Sequence, residues 1–355
     1  MVLATTDLAQ AWDRAWPAFA LVAGLLLLGL VAERGGLFAW TGDRLGRVPG
    51  PPVALAVAVF AVLAAVTAVL NLDTAVVFVT PIAIRAVRRR GLDPRPVAYA
   101  ALVMVNASSL LLPGANLTNL IVQGADPIGG ARWLVEVAPA GLAAAVVSGA
   151  VLLAMDRGAW RADGGAVAGE DEAHAGRPDA LAVAATLLAC GLILALTEPA
   201  LPVLALGVVT AGLWVARGRL RAGDAVRAVG PAVLLALLAL VVALGWLARR
   251  WSAPGDLVAD AGPLATAAIA AATSVVVNNL PASALLTAGA PAHPEALLVG
   301  LNLGPNLFVT GSLAAWLWWR TCAAAGVDVT LRGVVARGAP AALLALPAAV
   351  LLLPS

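Results

Sequence analysis

The sequence predicts an all-α, polytopic membrane protein in two inverted halves. Each half carries a re-entrant hairpin and a broken transmembrane helix, giving about 8 full spans plus two hairpins. Three observations lead there. Hydrophobic residues make up 62% of the 355 and charged ones only 12%, with a mean hydropathy of +0.95, whereas a soluble domain carries about 25% charged residues. Apolar runs near the roughly 20 residues that cross a bilayer recur along the chain. The order of plain and interrupted runs then repeats from Pro231 onward.

Residues 1–16 hold Asp7, Asp13 and Arg14 and lack the basic stretch that opens a signal peptide, so no cleavable leader is expected. Residues 17–32 are the first plain span, stopped by Glu33-Arg34-Gly35-Gly36. The other plain spans are 139–155, 180–196, 201–216, 231–248 and 334–353. The pair 180–196 and 201–216, joined by Thr197-Glu198-Pro199, has no counterpart in the first half.

Four runs are interrupted. Residues 53–70 break at Asn71-Leu72-Asp73-Thr74 and resume over 75–84. Residues 97–112 break at Pro113-Gly114-Ala115-Asn116 and resume to Gln123. Residues 263–277 break at Asn278-Asn279-Leu280-Pro281 and resume to Ala290. Residues 294–303 break at Gly304-Pro305-Asn306 and resume over 307–320. The first and third are expected as hairpins (53–87 and 263–290), the second and fourth as broken helices (97–123 and 294–320). The domains are then a first repeat over 1–155, a linker over 156–179 and a second repeat over 180–355. The linker is rich in Gly, Ala and acidic residues (Asp163, Glu170, Asp171, Glu172), the composition of a disordered tether.

Charge sets the topology. With both hairpins re-entrant, Arg44, Arg47, Arg88, Arg89, Arg90 and Arg95 share one side with the segments 156–179, 217–227 and 326–337. The positive-inside rule makes that side cytoplasmic and places both termini outside a cell (plasma or inner) membrane. The two halves then run in opposite senses, as an inverted repeat requires.

Non-helical backbone inside a bilayer is tolerated where it lines a cavity or is buried in protein. A break also exposes N–H groups at one half-helix and C=O groups at the other, which attract oxyanions and cations respectively. Neutral amides and hydroxyls stand at all four breaks: Asn71 and Thr74; Asn116, Thr118 and Asn119, with Asn106 and Ser108 upstream; Asn278 and Asn279; Asn302, Asn306, Thr310 and Ser312. Asn106 and Ser108 apart, they are the expected substrate-binding set of one transport site. Asp73 is the sole carboxylate in the apolar part of either hairpin. A carboxylate at the bilayer centre costs about 2.5–3.5 kcal/mol, so Asp73 is the candidate proton carrier, with helix capping as a compatible role. Cys190 and Cys322 lack metal-ligand spacing, and His174 and His293 lie in connecting segments. No nucleophile elbow or Walker loop is present, so an enzyme is not expected, nor is a cofactor, a metal or a nucleic-acid partner.

The run Asn71-Leu72-Asp73-Thr74-Ala75 with Thr80-Pro81 resembles a hairpin of the arsenite permease family, within the wider ion transporter superfamily. The segments 106–120, with Pro113-Gly114-Ala115-Asn116, and 277–282 are similar to its first broken helix and second hairpin. Gly304-Pro305-Asn306 followed by Thr310-Gly311-Ser312-Leu313-Ala314 resembles its second broken helix. The resemblance implies efflux of arsenite or antimonite in exchange for protons, and an elevator-like motion. It leaves room for a homodimer and for a soluble ATPase docked on the arginine-rich face. A sodium-coupled di- or tricarboxylate carrier and a sodium–proton antiporter of the same superfamily are the alternatives. A neutral trihydroxy metalloid suits a site made of amides and hydroxyls, whereas a carboxylate needs compensating charge.

Overall fold

Backbone groups have no water to bond in hydrocarbon, and the chain answers with helices throughout: among the described residues there is no strand. The computed structural model describes residues 2–124, 128–161, 176–248 and 250–354. The acidic part of the expected linker and His174 lie outside the described residues.

The first half comprises α1 (Val2–Arg34), α2 (Leu37–Gly46) and an outgoing arm α3 (Pro52–Leu70). The return arm is α4 (Leu72–Thr74), a π-helical turn (Ala75–Val79) and α5 (Thr80–Arg88). Then come α6 (Arg95–Ser108), a 3-10 turn (Pro113–Ala115), α7 (Leu117–Gln123), α8 (Gly130–Glu136) and α9 (Ala138–Met155). The apolar pair α10 (Ala180–Ala195) and α11 (Ala200–Ala216) follows. The second half holds α12 (Ala222–Val229), α13 (Pro231–Ala248), α14 (Ala253–Ala259), α15 (Pro263–Val277) and α16 (Asn279–Leu286). After these come α17 (Pro294–Leu303), two 3-10 turns (Gly304–Asn306 and Val309–Gly311), α18 (Leu313–Ala324) and α19 (Leu331–Val350).

Among the described residues five helical stretches are long and apolar enough to cross a membrane alone: Ala15–Arg34, Pro52–Leu70, Ala138–Met155, Ala222–Ala248 and Leu331–Val350. One of them is the first hairpin arm, α3. Its 19 residues reach about 28 Å at 1.5 Å per residue, the thickness of a hydrocarbon core. It is nonetheless an arm that returns. Arg90 Nη1 donates to the carbonyl of Gly50 at 3.2 Å, so the outgoing arm starts where the return arm ends. The second hairpin is shorter. Its two ends meet at α14, where Ala292 N–H donates to Val258 O at 3.5 Å.

The segments assigned to one face by charge do lie together. Asp179 N–H donates to Gly35 O at 2.8 Å, Arg34 pairs with Asp224 at 3.3 Å, and Arg219 pairs with Asp179. Arg88 donates to Ala325 O and Gly326 O at 2.7 and 2.8 Å, and Arg337 grips Asp156 through two nitrogens. This end of the molecule is the arginine-rich face.

Small residues set the packing, as they do where lipid gives helices no hydrophobic drive to associate. α1 crosses α11 so closely that a Cβ on Gly24 would lie 2.7 Å from Val203 O, and one on Gly207 2.6 Å from Gly24 O. Helices α9 and α19 pack on each other, and each covers a break. A Cβ on Gly141 would meet the backbone of Leu110 at 2.9 Å, and one on Gly338 the carbonyl of Asn306 at 2.1 Å.

Both broken helices differ in register from the sequence expectation. α6 stops at Ser108 rather than running to Leu112. The hydroxyls of Ser108 and Ser109 turn back onto Met104 O and Asn106 O, side-chain bonds that compete with helix propagation. The second break does not close after Asn306. Pro305 has no N–H to continue α17, two 3-10 turns follow, and helix resumes only at Leu313, once Ser312 can cap it. The structural counterpart of Pro113–Ala115 is therefore Val309–Gly311, and that of Asn116 is Ser312.

Candidate functional site

Four half-helices start inside the protein, and each starts on a capping side chain. Asn71 Oδ1 accepts from Thr74 N–H at 2.8 Å, and Asn116 Oδ1 from Thr118 N–H at 3.1 Å. Asn278 Oδ1 accepts from Leu280 N–H at 3.3 Å, and Ser312 Oγ from Ala314 N–H at 3.2 Å. The cap of the first hairpin is thus Asn71, and Asp73 is left for another role. At both hairpin tips the asparagine also bears a backbone strain. Asn71 sits at φ 133, ψ 171 and Asn278 at φ 76, ψ 150, a region that side chains rarely adopt and that costs on the order of 1–3 kcal/mol. Asparagine combines the cap with better tolerance of positive φ than most residues.

The halves interlock crosswise. The second half-helix α18 packs against α4, the π-turn and α5 of the first hairpin, while α7 of the first half packs against α16 of the second hairpin. Each hairpin tip therefore faces a half-helix from the other half of the chain.

The residues expected at one site fall into three groups. Asn116, Asn119, Asn302 and Asn306 form a buried network with Ser109 and Asn106. Asn302 is its hub: its amide donates to Asn119 Oδ1 at 2.7 Å and to Leu298 O at 2.9 Å. Its carbonyl accepts from Asn116 Nδ2 at 2.7 Å and from Ser109 Oγ. Asn106 Nδ2 donates to Asn306 Oδ1 at 2.9 Å, and Asn306 Nδ2 to Val103 O at 3.1 Å. All six side chains are buried. Thr118 is buried beside them, its N–H held by Asn116. This network ties one broken helix to the other. Ser109 escaped the sequence-derived set, because nothing in its local run distinguishes it from Ser108.

The second group is the second hairpin tip. Asn278 Nδ2 donates to Thr310 O at 3.1 Å, and Thr310 Oγ1 donates to Val275 O at 2.6 Å, so the tip is tied to the break in its own half of the chain. Asn279 is buried, whereas Val276 is 79% exposed. Gly304 lets this hairpin approach: a Cβ there would lie 2.2 Å from Ser274 Oγ and 2.7 Å from the Ala271 backbone.

The third group is the first hairpin tip, and it is the least satisfied. Asn71 and Thr74 are buried, Thr74 lying against Gly29 of α1. Asn71 Nδ2 and the hydroxyls of Thr67 and Thr80 have no hydrogen-bond partner among the described residues. The Asp73 carboxylate, half-buried, likewise makes no hydrogen bond or ion pair with them. The return arm winds as a π-helix just before Pro81, a proline that cannot donate to Val77 O. Such irregular turns are frequent at functional positions. The first tip thus offers amide, hydroxyl and carboxylate groups with bonding capacity to spare, and the second does not.

A cavity of about 520 Å³ lies between α1, α7 and the α10–α11 turn, at the end of the molecule away from the arginines. Asp13 and Glu198 stand on its wall, and Pro113 of the first break forms part of its lining. No group of three or more His, Cys, Asp or Glu with metal-binding geometry occurs among the described residues.

Among curated proteins no sequence matches this chain significantly. Among solved structures it is similar to the YdaH transporter of Alcanivorax borkumensis, a protein of unusual topology, with a TM-score of 0.61. The likeness covers 99% of this chain and 87% of that one at 16% sequence identity, and so concerns the fold. A citrate transporter family model matches residues 2–350, nearly the whole chain. The arsenite permease resemblance is therefore secure only at the broader level of ion transporters. With its helix breaks, crosswise hairpins and this match, the chain is a multi-pass secondary transporter and belongs to the CitMHS citrate transporter family.

Proposed function

We propose that the chain carries a small polycarboxylate of the citrate class, coupled to protons through Asp73, by an elevator-like movement of the hairpins. The observation that carries this reading is the first hairpin, where the half-buried Asp73 carboxylate, Asn71 Nδ2 and the hydroxyls of Thr67 and Thr80 have no partner among the described residues. A carboxylate substrate would accept from the amide and hydroxyls and from half-helix N-termini. Asp73, the one acidic group at the tip, would have to be protonated, or bridged to the substrate by a cation, for the two to coexist. The buried asparagine network then serves as the rigid joint behind the site, and the cavity lined by Asp13 and Glu198 as its outer vestibule. In this reading the repeats are 1–155 and 180–355, joined by 156–179. The arginine-rich face is cytoplasmic, and both termini lie outside the cell membrane.

A second reading, export of arsenite or antimonite, is favoured by one observation: none of the tip residues 67–80 or 273–281 is Arg, Lys or His. Proteoliposomes loaded with buffer and given labelled citrate or arsenite, under imposed pH gradients with and without sodium and divalent cations, separate the two. Gradient-driven citrate uptake that Asp73→Asn uncouples from protons supports the proposal. Arsenite flux without citrate flux would overturn it in favour of the second reading.

A further inference from the structure

Some arginines on the arginine-rich face are engaged and others, Arg217, Arg221 and Arg332 among them, make no hydrogen bond or ion pair with the described residues. Arg47 holds Asp43 at 3.0 Å, and Arg95 holds Asp93 at 2.7 Å. Arg88 and Arg90 are bound to carbonyl oxygens. Arg85 on α5 and Arg89, one turn later at its C-cap, make no hydrogen bond or ion pair with the described residues. Both line a cavity of about 150 Å³ between α5 and α2, completed by Ala39, Gly42, Asp43, Ile82 and Ala86. Asp43 is the sole carboxylate of that lining and already holds Arg47. The cavity therefore presents two guanidinium groups with little local compensation.

Its other wall is built for a membrane surface. Helix α2 buries Phe38 and Leu45 and leaves Arg44 and Arg47 exposed. Arg44 lies over the ring of half-buried Trp40 at 5.0 Å, and tryptophan beside arginine is the usual anchor of a bilayer interface. Gly42 and Gly46 allow close approach to α5: a Cβ on Gly42 would lie 2.5 Å from Ile82, and one on Gly46 3.5 Å from Arg89 Nη1. Phe38 stacks on Phe78 of the π-turn at 5.1 Å and 9°. Helix α2 is thus at once an interfacial helix and a clasp on the return arm of the first hairpin.

We propose that the α2–α5 cavity binds the phosphate of an anionic lipid headgroup, held by Arg85 and Arg89. Guanidinium pairs match phosphate oxygens in geometry as well as charge. A lipid suits the place better than a free anion, because α2 beside the cavity carries the half-buried Trp40 with Arg44 over its ring, residues of a bilayer interface. A bound headgroup pins α2 to α5 and makes the mobility of the first hairpin depend on the surrounding lipid.

The test is native mass spectrometry of the full chain released from nanodiscs holding equal phosphatidylglycerol and phosphatidylcholine. The wild type is compared with Arg85→Gln/Arg89→Gln and with Arg95→Gln, a control arginine at the same face. Size-exclusion profiles establish that the variants are folded. Wild type and the control should retain phosphatidylglycerol preferentially, and the double variant should lose that preference by about 30-fold, about 2 kcal/mol for two arginines at a lipid surface. Equal retention in all three proteins overturns the proposal. Displacement of the lipid by millimolar inorganic phosphate, or binding of that phosphate alone, also overturns it and makes the site one for a free anion.

Discussion

Asn302→Ala tests whether the asparagine network is a joint or a binding site. The Asn302 side chain makes four hydrogen bonds, yet its loss does not orphan four groups. Ser109 has one hydroxyl proton and keeps its bond to Asn106 O at 2.7 Å. Leu298 O keeps its helical partner. Two groups are stranded in a dry interior, a proton of Asn116 Nδ2 and the acceptor Asn119 Oδ1. An unpaired buried polar group costs about 1–3 kcal/mol in soluble proteins, while hydrogen bonds measured within a bilayer reach about 1.7. Two such groups at an intermediate value give a loss of about 2–4 kcal/mol. Reversible unfolding in mixed lipid–detergent micelles measures it, beside transport per folded molecule in liposomes. The expected result is the stated loss with transport within about twofold of wild type, less than the tenfold that 1.4 kcal/mol would bring. Abolished transport at unchanged stability would refute the reasoning and return Asn302 to the substrate site.

Four further outcomes follow from the same geometry. Gly304→Ala forces a Cβ to 2.2 Å from Ser274 Oγ and 2.7 Å from backbone; with no flexible side chain at the second contact, it should cost about 1–3 kcal/mol or more and lower the folded yield on size exclusion. Asn278→Gly relieves the strained tip backbone at the expense of a cap worth a few tenths against Gly. It also forfeits the Asn278 Nδ2 bond to Thr310 O, so relief and loss should offset to a net change under about 1 kcal/mol while transport slows, and a loss above about 2 kcal/mol would contradict the strain. Asp73→Asn should leave folding intact, since Asp73 is not the cap, and abolish the pH dependence of flux in an imposed-gradient assay. Arg337→Gln strands Asp156, whose side chain is 11% exposed. It should destabilise by about 1–3 kcal/mol, less than a fully buried pair because Arg337 is 22% exposed, and Asp156→Asn on top of it should recover part of that loss; no recovery would mean that the pair is not coupled.

Much of the fold was legible because lipid leaves the chain few options. The apolar runs gave the spans, the arginines gave the face, and Asn, Gly and Pro gave the four breaks. What failed was local register. Gly304-Pro305-Asn306 looks like Pro113-Gly114-Ala115-Asn116 by composition, yet Val309–Gly311 is its counterpart in shape. Composition does not say that Pro305 starts a break that only Ser312 can close. The grouping of the candidate site was also hidden. Asn106 and Asn306 meet across 200 residues of sequence, and no local pattern announces that these amides bond to one another, with Asn106 Oδ1 left over, while Asn71 Nδ2 finds no partner among the described residues. Sequence alone made the four breaks look chemically alike. Packing makes the first tip open in its bonding, the second tied to Thr310, and the two broken helices sealed together.

That seal has a consequence for how the protein is made. The first break must enter the bilayer with Asn116 Nδ2 and Asn119 Oδ1 unpaired, because their partner Asn302 lies 186 and 183 residues downstream. At about 5–20 residues per second of synthesis, that is a wait on the order of 10–40 s. During it the amides must borrow partners from water, lipid headgroups or the insertion machinery. The first broken helix is therefore the last part of its own half to settle, and it is completed by the birth of α17.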